Sequence, residues 1–321
     1  MNAFATLLSR RLGPLLLVLL ALAPMYAHLA QDGFLITLLT RILIFAIAAV
    51  SLNLILGYGG MVSFGHALYL GLGVYSAAIP AFHGFDSGWL QLLITVVSCA
   101  LVGVVTGAVV LRTTGIAFIM ITLAFAQMFF FLFVSLSQYG GDDGLRLTAG
   151  SQFSGLLLTQ PLVLYFTALA LLCLALYACH RLVHSRFGMV LRGSRSNNRR
   201  MKALGYATFR YRLAAYVISA VLCGVAGLLY ANLTQFAAPS FMSWSLSGEL
   251  IVMVVLGGMG TLFGPLYGAL GMILTEEWLK ALTEHWMVIF GPLIVLVISV
   301  SRLGIAGLLQ RGARPNPGGT P

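Results

Sequence analysis

The chain has 321 residues, of which 60% are hydrophobic and only 8% are Asp, Glu, Lys or Arg. Soluble domains carry roughly 25% charged residues, so this set cannot build a water-facing surface and points to a membrane protein. The net charge of +10 would suit a nucleic-acid partner in a soluble chain, but nine of the 18 Lys and Arg lie between Arg181 and Arg212, a stretch without Asp or Glu. That clustering reads as the positive-inside signal of a cytoplasmic loop, and no recognisable nucleic-acid-binding fold surrounds it.

Apolar runs near 12–30, 34–56, 65–83, 89–111, 114–135, 158–179, 213–235, 248–274 and 285–301 predict membrane helices, because about 20 apolar residues are needed to cross about 30 Å of hydrocarbon. The short alternating strands that a barrel requires are absent. The expected fold class is all-α: a polytopic transmembrane helical bundle with about 8–10 membrane segments, at least one of them interrupted or re-entrant. It forms a single transmembrane domain over residues 1–310, with 181–212 as a cytoplasmic loop. The Pro/Gly-rich segment 311–321 is expected to be a disordered cytoplasmic tail. Arg10 and Arg11 precede the first run, which exceeds the usual signal-peptide core of about 7–15 residues and is read as an uncleaved span.

With Arg10 and Arg11 inside, Asp32, Asp86, Asp142 and Asp143 fall outside, while Arg112 and the basic loop fall inside. Nine full spans would leave Arg302, Arg311 and Arg314 outside, so the departure from the rule lies in the last third. There Gly257-Gly258-Met259-Gly260, then Gly264-Pro265, interrupts the run 248–274. Glycine weakens a helix, and Pro265 lacks an amide proton but suits the first position of a new helix. Residues 248–258 are therefore expected to enter as a half-helix and turn back, leaving both termini cytoplasmic. An earlier break, Leu56-Gly57-Tyr58-Gly59-Gly60, is followed by Ser63, Gly65 and His66.

Paired interruptions in the two halves of a chain point to a transport path, which makes Asn53, Gly57, Ser63, His66, Gly257, Gly258 and Gly260 its candidate residues. Small residues four apart, as at Gly260, Gly264 and Gly268, serve close helix packing equally well, and the two roles can coexist. His66 either packs or lines the path. Arg41 sits a turn or two into its run and can snorkel outward. Glu249 follows Ser247, read as a helix cap with the acid set against the helix dipole. Cys99, Cys173, Cys179 and Cys223 stand singly in or beside apolar runs, without metal spacing. No nucleophile–base pair stands out, and the two lysines, Lys202 and Lys280, follow no P-loop pattern. Neither chemistry on a substrate nor ATP hydrolysis is expected of this chain.

Four stretches carry a family resemblance. The first is LNLILGYGGMVSFGHA from Leu52 to Ala67, continuing to Gly71-Leu72-Gly73-Val74-Tyr75, and the second is YGGDDGL from Tyr139 to Leu145. The third is SRFGMVLR from Ser185 to Arg192, with Asn197-Asn198 and Ala203-Leu204-Gly205. The fourth runs from Glu249 through Met253 and LGGMGT, Leu256 to Thr261, to GPLYGA, Gly264 to Ala269. In this order and spacing, over residues 40–300, the chain resembles the LivM-type permease subunits of branched-chain (hydrophobic) amino acid ABC importers. Asp142 departs from the pattern, which more often has a small or uncharged residue there, and this leaves the substrate open.

The resemblance implies a multi-pass permease of the bacterial inner membrane. Its partners would be a second homologous permease, two cytoplasmic ATPase subunits, a periplasmic substrate-binding protein and membrane lipid. No cofactor is implied in this chain, ATP and Mg being bound by the partner subunits. The basic loop becomes the ATPase-coupling element, with Phe187, Gly188, Leu191, Arg192, Asn198, Ala203, Leu204 and Gly205 its candidate residues. Phe187, Leu191, Met201 and Leu204 offer apolar anchors, while the loop's arginines serve equally to fix topology and touch anionic lipid. Asp142 and Asp143 either grip the binding protein or are simply solvated. The cargo would be branched-chain or related amino acids, with urea, amides or another small solute as alternatives. A stand-alone carrier or channel is the rival class, but it would need intramembrane acids for ion coupling, and this chain has few.

Overall fold

The computed structural model describes residues 13–24 and 33–283, apart from Thr148, together with His285, residues 288–292, 295 and 304. Arg10, Arg11, Asp32, Glu284, Arg302, most of the run 285–301 and the tail 311–321 lie outside the described residues.

The described helices are α1 (Gly13–Pro24), α2 (Gly33–Asn53, continued by a π turn Leu54–Tyr58), α3 (His66–Phe82), α4 (Gly88–Val110) and α5 (Ile116–Ser135). They continue as α6 (Pro161–His184), α7 (Arg186–Ala203), α8 (Thr208–Thr234), α9 (Trp244–Gly257) and α10 (Gly264–Leu282). Five helices, α2 with its π turn, α4, α5, α6 and α8, are long and apolar enough to cross a membrane. The chain is an all-α polytopic membrane protein. Among the described residues the four strands are two-residue pairings in loops.

Helices that are apolar on every side are sorted by packing rather than by an amphipathic stripe. The apolar window of α2 is 72% buried and that of α5 only 17%. Thus α2 is the axis of the bundle and α5 an outer wall. Around α2 stand α6, α8, α9 and α10, while α3 and α4 pack on α8. The α3–α8 contact is backbone on backbone: a Cβ on Gly73 would overlap the Gly224 carbonyl, and one on Gly227 the Leu70 carbonyl. Small residues at this seam let dispersion attraction accumulate where no hydrophobic driving force distinguishes side chain from lipid.

The acidic loops gather at one end. Leu145–Arg146 pairs antiparallel with Phe236–Ala237, and the Gln152 amide donates to the Asp86 carbonyl at 2.8 Å. A buried polar knot closes this end. The Ser151 amide donates to Asn232 Oδ1 at 2.9 Å, Asn232 Nδ2 returns a bond to Ser151 Oγ at 2.8 Å, and Ser151 Oγ donates to Gln91. At the opposite end lie the α4–α5 loop, the turn after α2, the turn between α9 and α10, and basic α7.

The break in the run 248–274 is present, but its geometry differs from the expected half-helix turning back. Residues 236–243 are non-α, and α9 begins beside the middle of α3, with Met242 against Gly71. It then runs on to the basic end before the chain reverses at 258–263. The return leg α10 lies close against it: Cβ atoms on Gly257 and Gly268 would overlap the Gly264 and Met253 carbonyls. Gly264 and Gly268 therefore pack as expected, whereas Gly260 stands in the turn with φ +75° and is not on the α10 face. The N-cap of α9 is Ser243, whose Oγ accepts from the Leu246 amide at 3.4 Å, rather than Ser247. Glu249 consequently falls outside the first turn, away from the dipole end. Arg41 does not merely snorkel: it pairs with Glu276 at 3.3 Å and Glu277 at 3.1 Å on α10.

Candidate functional site

The two glycine breaks meet. Asn53, the last residue of α2 before its π turn, accepts from the Gly260 amide and donates to the Thr261 carbonyl, both at 2.9 Å. One side-chain amide thus satisfies two of the backbone groups that the second break exposes, as buried non-helical backbone requires. Gly57 sits against Gly260 with no room for a Cβ. Arg195 of α7 donates to the carbonyl of Gly57, and its stem packs on Gly60, whose φ is +67°. Asn53, Gly57 and Gly260, with Gly257 and Gly258 flanking, therefore form one cluster held by a basic side chain from the loop region.

Ser63 and His66 form a second, separate cluster. The segment after Gly60 runs back beside α2 without regular structure, and its donors find side chains on α5, on α9 and within the segment itself. The Phe64 amide donates to Thr122 Oγ1 at 3.1 Å, the Gly65 amide to Ser63 Oγ at 3.3 Å, and the Ala67 amide to Ser247 Oγ at 3.0 Å. His66 Nε2 lies 2.9 Å from Ser51 Oγ, and Ser219 Oγ donates to the Ser51 carbonyl at 2.5 Å. Both Ser63 and His66 are fully covered by protein. Their geometry is that of a buried polar joint between α2, α3, α8 and α9, so the packing reading of His66 is the one the contacts describe.

The basic segment 181–212 is mostly helical. Within α7 the backbone leaves helical geometry at Asn197 (φ −155°, ψ 96°), whose Oδ1 then accepts from the Arg200 amide at 3.0 Å and restarts the helix. Before the kink, Gly188, Val190, Leu191 and Ser194 are buried against the bundle. Leu191 therefore cannot anchor a partner, and Arg192 is tied to the Gly188 and Val183 carbonyls at 3.3 and 3.2 Å. Phe187 is half-buried beside Tyr211, and Met201 packs over Gly193. Beyond the kink the surface is open: Ala203, Leu204 and Gly205 are exposed, Gly205 with φ +86° and nothing of this chain within 4 Å of its would-be Cβ. Exposed Met189, Tyr206 and Phe209 add apolar surface that the sequence reading did not select. A cleft of about 360 Å³ opens beside Gly60, Gly115, Arg195, Asn198 and Arg212. In it the Asn198 Oδ1 is buried without a partner among the described residues.

A family model described as the permease component of the branched-chain amino acid transport system matches residues 34–298. The chain belongs to this family. It is 26% identical over 308 residues to the high-affinity branched-chain amino acid transport system permease protein LivM of Escherichia coli (strain K12), covering 88% of this chain and 72% of that protein. The LivM of Salmonella typhimurium matches to the same extent. Identity to the permease protein LivH of Escherichia coli (strain K12) is 25% over 285 residues, covering 82% of this chain and 91% of LivH. No solved structure matches.

In this permease the GGDDG loop is built by glycines in the left-handed region: φ is +87° at Gly140, +51° at Gly141 and +81° at Gly144. They fold the loop so that Asp142 and Asp143 are both exposed, 142–143 standing clear of the Leu145–Ala237 pairing. The sequence reading missed Arg195 as an individual. It was one of several arginines in a basic run, and its partner carbonyl at Gly57 lies 138 residues away.

Proposed function

We propose that this permease is one of two homologous membrane subunits of an ATP-driven importer. It would carry branched-chain or closely related amino acids across the bacterial inner membrane. The observation that carries this reading is the match to the branched-chain amino acid permease family over residues 34–298. The basic end of the bundle faces the cytoplasm, as the positive-inside rule requires, and the loop with Asp142 and Asp143 faces a periplasmic binding protein. ATP and Mg are bound by two cytoplasmic ATPase subunits, since this chain has two lysines and no P-loop.

Movement reaches the membrane through α7. The exposed part beyond Asn197, with Leu204 and Tyr206, seats on an ATPase subunit, and the buried part transmits its displacement. Arg195, beside the kink, is bonded to Gly57, which is packed on Gly260, so both helix breaks are pulled by one side chain. Uptake of radiolabelled leucine, isoleucine and valine tests the assignment, in a strain lacking this chain and complemented with it. Restored uptake of these three, with little for urea or charged amino acids, is expected. Restored uptake of another solute class alone would contradict the cargo.

A further inference from the structure

Glu249 is exposed on α9 and has no hydrogen-bond or ion-pair partner among the described residues. The nearby Arg41 is engaged with Glu276 and Glu277, and Lys280 lies 2.6 Å from Glu276. Glu249 is not at a surface end of its helix. It precedes Gly257 by eight residues, about 12 Å of helix rise above the turn at the basic end. Two residues before it, Ser247 accepts from Ala67 at the start of α3, next to the buried His66–Ser51 pair. Ser51 in turn lies seven residues, about 10 Å of rise, from the end of the π turn at Tyr58.

A carboxylate at that depth is strongly disfavoured against hydrocarbon and belongs beside protein or water. The outward faces of α4 and α5 show the contrast, presenting Leu101, Phe131 and Leu132. The exposed or half-exposed positions of α9 are Trp244, Ser245, Leu246, Gly248, Glu249, Ile251, Val252 and Val255, and the row that surrounds the carboxylate is made by Ser245, Gly248, Glu249 and Val252. Their spacing of three and four places them on one helix face. Gly248 leaves that face shallow, its would-be Cβ meeting nothing nearer than the Phe64 ring at 4.0 Å.

We propose that this face of α9 lines the aqueous path, and that Glu249 receives the ammonium group of the amino acid in transit. The inference rests on the importer reading above. A carboxylate offers an opposite charge to the ammonium group, and Val252 and Phe64 offer apolar contact to the side chain. Such a pairing lowers the cost of carrying a charged group through the membrane interior.

Substituted-cysteine accessibility in the assembled complex tests the face. With exposed Cys173 replaced by Ala, Ser245→Cys and Val252→Cys should react with a charged, membrane-impermeant methanethiosulfonate, and Leu132→Cys should not. Absence of reaction at both α9 positions would overturn the proposal. For the ammonium role, Glu249→Gln should raise the KM for leucine uptake about tenfold or more, the scale of a lost charge-assisted contact. ATP hydrolysis and subunit co-purification should be unchanged, and Glu249→Asp should recover part of the loss. Unchanged uptake in Glu249→Gln, or loss of assembly with it, would overturn that role. Labelling does not depend on the cargo. A wild-type complex that takes up no amino acid would contradict the importer reading and the ammonium role together, while the labelling still decides the face.

Discussion

Asn53 satisfies two backbone groups more than 200 residues away in sequence, the amide of Gly260 and the carbonyl of Thr261. Replacing it by Ala would leave both without their partner. An unsatisfied buried group costs about 1–3 kcal/mol, so Asn53→Ala should lower the detergent-solubilised unfolding temperature clearly. Asn53→Asp keeps the acceptor for Gly260 but loses the donor to Thr261, and should fall between Ala and wild type. Thermal unfolding of the purified subunit reads both, and equal stability of all three would contradict the pairing. The motif around Asn53 was legible in the sequence, because a polar residue before a run of glycines stands out in an apolar helix. Its partner was not legible, since no local pattern connects the two breaks. The same limit hid the cap of α9: Ser243 and Ser247 are both plausible by composition, and only the packing of α3 shows that Ser247 serves Ala67 instead.

At the scale of elements, the α9–α10 hairpin and α7 carry separate demands. The hairpin needs bare backbone at Gly268, where a side chain would overlap the Met253 carbonyl. Gly268→Val should therefore destabilise the subunit by about 1–3 kcal/mol, the usual scale of overpacking, and reduce its yield in membranes; wild-type yield and stability would argue against this contact. The demand on α7 is mechanical. Arg195→Ala should leave ATP hydrolysis and subunit association intact while uptake drops about tenfold or more, from loss of a hydrogen bond to a charged donor. Comparing ATP hydrolysed with leucine transported in proteoliposomes reads the ratio, and an unchanged ratio would remove Arg195 from the linkage. Helix positions came through the sequence well because about 20 apolar residues have few alternatives. The inner structure of 181–212 did not. Its charge marked the end of the molecule on which it lies, while the burial of Leu191 and the kink at Asn197 depend on the bundle against which it folds.

Across the whole molecule, the two ends of the bundle separate basic from acidic loops, and the account requires that separation to coincide with the membrane. Single cysteines at Asp86 and Asp142 should be labelled by an impermeant thiol reagent from the periplasmic side, and one at Gly205 only after the cytoplasmic face is opened. Thr283, beyond the Arg41–Glu276 pairing, should label with the periplasmic set. Labelling of Thr283 and Gly205 from the same side would mean that α9 and α10 do not form two legs of a hairpin. A reversal in the last third was expected from charge, but its place was not: the chain turns at the basic end of the bundle, where Asn53 and Gly57 receive it.

The measurement closest to the central claim is purification of the tagged chain from its native membrane in mild detergent, with every co-purifying protein identified. The account predicts two cytoplasmic ATPase subunits and a second homologous permease in stable proportion to this chain. A chain recovered alone, and still transporting in liposomes without ATP, would contradict it.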